Sequence, residues 1–212
     1  MKGLLMKDFA FVKLQAKSMI FIFLLVVFML LQSLDFEFVI VYANIIFTMF
    51  VVTTINYDYF ENGCAFLMTL PISRKMYVSE KYVLAFLAAS CGFVVDIVFM
   101  LVAHFLKEGY VFGMDNLIFA LAYALGSFVF IALMLPIELK YGPEKARVAM
   151  IVVVAIIFAM VFLLMGMGPV EPVKLLISFT KIQLLGLSGV TILIALGISY
   201  LISCRIMEKK EF

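Results

Sequence analysis

One histidine and three cysteines in 212 residues leave little room for metal chemistry. With His104 alone, neither a His-x-x-x-His nor an H-E-x-x-H pair can occur, and Cys64, Cys91 and Cys204 lack ligand spacing, so a metalloprotease is excluded. No G-x-x-x-x-G-K-[ST] phosphate loop is present, so any nucleotide-driven work has to come from another subunit. Charge is equally scarce. Only 14% of residues are charged, and 16 Lys and Arg against 14 Asp and Glu leave a net charge of +2, which carries no footprint for nucleic acid. Gly186-Leu187-Ser188-Gly189 sets a serine between glycines at the start of the last apolar run, where the two glycines allow close helix packing. The chain is not expected to be an enzyme.

What is abundant is apolar surface. Hydrophobic residues make up 67% of the chain, and the mean hydropathy is +1.22, values of an all-α integral membrane protein. Six runs are long enough to cross a bilayer as helices: 18–34, 36–56, 82–106, 117–137, 147–167 and 182–204. No stretch alternates at period two as a membrane barrel would. The polar turn Gln32-Ser33-Leu34-Asp35 makes the first two runs a tight helical hairpin. If the N-terminus is cytosolic, thirteen of the 16 Lys and Arg fall inside and only Lys107, Lys174 and Lys181 fall outside. The positive-inside rule therefore places both termini in the cytosol of a cytoplasmic membrane protein. The basic start has no small-residue cleavage site and reads as a retained anchor. Residues 1–212 read as a single transmembrane domain with no internal repeat. Small residues recur four apart, as in Ala85 and Ala89, Ala120 and Ala124, and Ala155 and Ala159, which serves helix packing within the chain or between chains.

Between the second and third spans runs Tyr57 to Lys81, YDYFENGCAFLMTLPISRKMYVSEK, which is too apolar for an ordinary loop. Asn62-Gly63 marks a turn, Leu70-Pro71 stops a helix, and Ser73 is placed to cap the third span. The apolar Ala65-Phe66-Leu67-Met68 needs burial, either on headgroups and the base of the bundle or in a soluble partner. At the N-terminus, Leu5, Phe9, Val12 and Ala16 form a stripe with Lys2, Lys13 and Lys17 to one side, which suits an amphipathic helix lying in the interface on membrane lipid. On the outer side, the segment after Gly168-Pro169, about 169–180, forms either a re-entrant helix or a loop packed over the bundle. Asp96 lies deep in the third span and must face protein or a wet cavity, with His104 on roughly the same face. Asn44 and Thr48 in the second span join Asp96 as candidates for lining a substrate path.

Four segments carry a family resemblance. Lys2-Gly3-Leu4-Leu5-Met6-Lys7-Asp8 is similar to a "KGLLxKD" opening. Leu70-Pro71-Ile72-Ser73-Arg74-Lys75, with Val78 and Lys81-Tyr82, resembles an "SLPISRxxxVxxKY" signature in which Thr69 replaces the usual serine. Pro136, Lys140-Tyr141-Gly142 and Glu144-Lys145-Ala146-Arg147 resemble a "P…KxGxEKAR" turn, and the tail Glu208-Lys209-Lys210-Glu211-Phe212 resembles an "EKRDF" ending. Together they resemble ABC-2 type permeases, the membrane subunits of bacterial ATP-binding-cassette exporters, in the compact six-span branch. The resemblance implies a homo- or heterodimer with a second permease copy and a separate ATP-binding subunit that holds ATP and magnesium. It also implies a cytosolic coupling helix at Tyr59, Phe60, Glu61, Asn62, Gly63, Ala65, Phe66, Leu67, Met68 and Leu70. The cargo it implies is amphipathic, such as an exported peptide toxin or bacteriocin, with drug or lipid efflux as the near neighbour. A substrate-binding subunit for vitamin uptake and a stand-alone channel are the readings from other classes.

Overall fold

The structure, a computed structural model, describes residues 2–14, 17, 20–21, 24–25, 28, 36–60, 63–106, 113–166 and 181–211. Its described elements are all helices: α1 (Lys2–Leu14), α2 (Phe36–Tyr59), α3 (Gly63–Thr69), α4 (Arg74–Leu106), α5 (Met114–Gly166) and α6 (Lys181–Lys209). Among the described residues, three stretches are long and apolar enough to cross a membrane: Arg74–Phe105, Met114–Val153 and Gln183–Lys209. The helix α2 occupies the second expected span. Of the first, 18–34, only scattered residues are described, and the turn at 32–35 and the outer segment 169–180 lie outside the described residues.

Local chemistry sets the helix ends. Leu70-Pro71 closes α3, and the Ser73 hydroxyl accepts the Met76 amide at 3.1 Å, the N-cap its position predicts. The 53 residues of α5 are two helices joined at Gly142, whose backbone (φ 74°, ψ 173°) lies where side-chain-bearing residues are strained. Pro143 then opens the second arm, where its missing N–H costs nothing, and Glu144 sits in the first turn beside the positive helix end. The arms coincide with the fourth and fifth expected spans.

Inside the first arm, Pro136 removes the donor that would have served the carbonyl four residues earlier. Both orphaned carbonyls of α5 are satisfied from outside the helix. Ala132 O, four before Pro136, accepts Ser199 Oγ of α6 at 2.6 Å. Leu139 O, orphaned because the first arm ends at Gly142, accepts Lys210 Nζ at 2.6 Å and Tyr59 Oη of α2 at 3.3 Å. These bonds fix α5 against its neighbours at its two weakest points.

The helix α5 packs on α6 and α2, and α4 packs on α2, α5 and α6. One apolar core joins Val51, Ile55, Leu84, Ala85, Ala88, Ile131 and Leu135, and a second, nearer the termini, joins Leu4, Cys64, Tyr77, Val78, Leu139, Cys204 and Met207. The Ala85, Ala89, Ala120 and Ala124 positions are buried in this packing, whereas Ala155, Ala159 and Ala195 are exposed.

Two expectations are corrected. The face of α1 turned to the bundle carries Leu4, Asp8 and Phe11, while Phe9 of the expected stripe is half exposed, because Asp8 finds cationic partners inside and Phe11 stacks on Tyr57 at 4.5 Å. His104 does not share a face with Asp96. Eight residues on a 3.6-residue turn leave an offset, and Asp96 is buried where His104 is exposed.

Candidate functional site

The termini, the C-terminal end of α2, the N-terminal end of α4 and the Gly142 break of α5 meet at one basic end of the bundle. Lys81 of α4, fully buried, reaches Asp8 Oδ2 of α1 at 2.6 Å and Asp58 Oδ2 of α2 at 2.9 Å. Lys7 pairs with Asp58 and with Asp8 Oδ1 at 3.1 Å, and Tyr77 donates its hydroxyl to Asp58 at 3.0 Å. Glu80 lies buried 3.5 Å from Lys81. Burial alone would raise the Asp8 carboxyl, but the Lys81 charge, with Lys7 behind it, holds it below the usual carboxylate range. The C-terminal end of α6 is clamped in turn. Arg74 Nη1 donates to the Met207 and Glu208 carbonyls at 3.0 and 2.6 Å, completing orphaned acceptors at the negative helix end, and Lys75 pairs with Glu208 at 3.2 Å.

On this clamped base sits α3. A Cβ at Gly63 would come within 2.9 Å of the Asp58 carbonyl oxygen, so only glycine lets α3 begin so close to α2. Cys64 is buried, and Leu67 and Met68 pack on the core beside Leu4 and Met207. Burial, with the Asp58 charge adding, raises the Cys64 thiol to about 11. Phe66 is 67% exposed and Leu70 40%, one turn apart on the opposite side, and Phe60 before α3 is 67% exposed. Of the residues expected to dock a partner, Phe60, Phe66 and Leu70 offer surface, Leu67 and Met68 form the seat, Gly63 and Ala65 are half-buried, and Tyr59 is engaged inside. Glu61 and Asn62 lie outside the described residues.

Midway along the helices lies a second polar group. Asn44 Nδ2 donates to Asp96 Oδ2 at 2.6 Å, Ser127 Oγ reaches Asn44 Oδ1 at 3.4 Å, and Thr48 donates to the Asn44 carbonyl at 2.7 Å. This explains how a carboxyl is tolerated at that depth, although Asp96 Oδ1 is left with no hydrogen-bond partner. Gly92 permits the approach, since a Cβ there would stand 3.1 Å from Asn44 Oδ1. Asn44, Thr48, Tyr123, Gly126, Ser127 and Phe130 border a cavity of about 200 Å³. Among the described residues, no three His, Cys, Asp or Glu side chains are grouped to hold a metal.

The family model of ABC-2 family transporter proteins matches residues 3–208, nearly the whole chain. The chain belongs to the ABC-2 transporter family. No match is found among curated proteins or among solved structures. An ABC-2 chain is the membrane permease subunit of an ATP-binding-cassette system, a transport component that works with an ATP-binding partner. In this ABC-2 permease the four segments that carry the resemblance gather in space. Lys7-Asp8 meets Lys81, Arg74 and Lys75 meet the tail at Glu208, and Leu139, just before the Lys140 to Arg147 turn, gives its orphaned carbonyl to Lys210. The ion cluster of Asp8, Asp58 and Lys81 was not foreseen. The available signal was that Asp8 and Lys81 sit inside those segments as charges that an exposed interfacial helix would not need.

Proposed function

We propose that this permease exports an amphipathic substrate, such as a peptide toxin, from the cytoplasmic membrane, with a second permease copy and a separate ATPase subunit that carries ATP and magnesium. The basic end faces the cytosol in this reading, as the positive-inside rule requires, and six spans cross the bilayer. ATP-driven closure of the partner is passed through α3, and the helices alternate between inward- and outward-open states around the Asn44, Thr48 and Asp96 group. The partner shifts that equilibrium only if its contacts with α3 differ between the two states.

The observation that carries the reading is α3 itself. A seven-residue helix presents Phe66 outward, with Leu70 exposed just past its end, while Cys64, Leu67 and Met68 anchor it to a base where ion pairs join α1, α2 and α4. An exposed aromatic on a rigid mount is suited to a socket on a soluble subunit. The test is purification of the tagged chain from gently solubilised membranes. A P-loop ATPase subunit is expected with the wild type, and Phe66→Asp is expected to lower its recovery on the order of tenfold with membrane insertion intact. Equal recovery with both proteins would refute the coupling role of α3.

A further inference from the structure

A cavity of about 570 Å³ opens at the basic end between α1, α2 and the Gly142 turn of α5. Its walls combine Phe11, Thr53, Asn56, Tyr57, Glu144 and Arg147. On α2, residues 53, 56 and 57 follow helical spacing, with Phe60 just past the helix end, so one face supplies acceptors and aromatic rings together. Phe11 lies 4.5 Å from the Tyr57 ring. Asn56 Oδ1 is buried with no hydrogen-bond partner, and a buried acceptor left unpaired is costly. The Thr53 hydroxyl spends its proton on the Met49 carbonyl at 2.8 Å, which leaves its oxygen free to accept. Among the described residues, the Glu144 carboxylate and the Arg147 guanidinium make no hydrogen bond or close ion pair, and the Arg147 charge also acts on the buried Glu138.

We propose that this cavity binds the headgroup of a zwitterionic phospholipid bearing a primary ammonium, with Arg147 on the phosphate and Glu144, Asn56 and Thr53 accepting from the ammonium. The chemistry is complementary at each point. A guanidinium offers a fork of donors to phosphate oxygens, and an ammonium has three donors and no acceptor, matching three acceptors that lack donors. The Tyr57 and Phe11 rings add a cation–π surface for the same ammonium. A purely anionic ligand would meet the Glu144 carboxylate beside its one cation. The volume falls within the range of small-ligand sites, and the exposed Val148, Ile151 and Val152 that follow Arg147 along α5 offer apolar surface for acyl chains. The site is separate from the Asn44 cavity and does not depend on the direction or cargo of transport.

The test is lipid binding to the purified full chain, read by native mass spectrometry and by the shift of the thermal midpoint. Phosphatidylethanolamine, phosphatidylcholine, phosphatidylglycerol and water-soluble phosphoethanolamine are each added separately to delipidated protein. Phosphatidylethanolamine is expected to bind tightest. Phosphatidylcholine lacks the N–H donors and phosphatidylglycerol lacks the cation, so each is expected to bind more weakly, on the order of tenfold for the lost charge-assisted bonds. Glu144→Gln is expected to erase the preference for phosphatidylethanolamine over phosphatidylglycerol, and Arg147→Gln to weaken both. Asn56→Leu provides a second route to the same loss of preference if the exchange at Glu144 compromises folding. Equal or tighter phosphatidylglycerol binding would overturn the proposal, as would a preference unchanged in Glu144→Gln and Asn56→Leu. Soluble phosphoethanolamine binding as tightly as the lipid would assign the site to a free metabolite and overturn the lipid assignment.

Discussion

Asp8 shows how one side chain changes the meaning of a helix. Read for hydrophobic period alone, it belongs on the polar side of α1, yet it is buried against Lys81 at 2.6 Å, and the helix is turned so that Leu4 and Phe11 follow it inward. Removing one member of a buried ion pair exposes the other to an uncompensated desolvation cost of about 3–5 kcal/mol. Lys81 keeps Asp58 at 2.9 Å, so Asp8→Asn is expected near the lower end, about 3 kcal/mol. Because the folded carboxyl titrates below its ordinary value of 3.8, its contribution is complete above that value and is lost only as the pH falls through the lowered one. Hydrogen exchange of the α1 amides is therefore expected to show equal protection at pH 7 and pH 5 in the wild type. In Asp8→Asn, exchange should be faster on the order of a hundredfold at both. Protection lost between pH 7 and pH 5 in the wild type, or retained in the variant, would contradict this.

Among the elements, α5 holds the sharpest departure from regular geometry. Its break was legible: Pro136, Gly142 and Pro143 are the residues that bend or end a helix, and the charged run Glu144 to Arg147 marks a span boundary. What repairs the break was not legible, because Ser199 and Lys210 lie 67 and 71 residues from the carbonyls they serve. Gly142→Ala places a side chain where it costs about 1–3 kcal/mol, whereas Gly197→Ala, with nothing within 4 Å of a new Cβ, carries no such strain. Thermal unfolding of the purified protein is expected to show a lowered midpoint for the first and none for the second. Equal midpoints would mean that the break at Gly142 does not carry strain when alanine is introduced. The same contrast holds for α3. Its place and its stop at Leu70-Pro71 followed from composition, but its inward and outward sides depended on α1, α4 and α6 packing beneath it.

At the scale of the whole molecule, the residues that resemble the ABC-2 pattern are dispersed along the chain and assembled at one end. Helical class, the three described stretches long and apolar enough to cross a membrane and the Ser73 cap could be read from apolar runs and local capping chemistry. The ion cluster could not, since Lys7 and Asp58 are 51 residues apart and Asp8 and Lys81 are 73 apart, and no local pattern encodes such pairings. This assembly makes α3 a rigid outward projection tied to helices of the bundle, which is the geometry a coupling element needs. The most direct test is site-specific cross-linking in native membranes. A cysteine-directed cross-linker is applied to Phe66→Cys and Leu67→Cys in a chain whose own cysteines have been replaced by alanine. A product with the P-loop ATPase subunit is expected from position 66 and little from the inward-facing position 67. No product from position 66, or equal products from both, would contradict it.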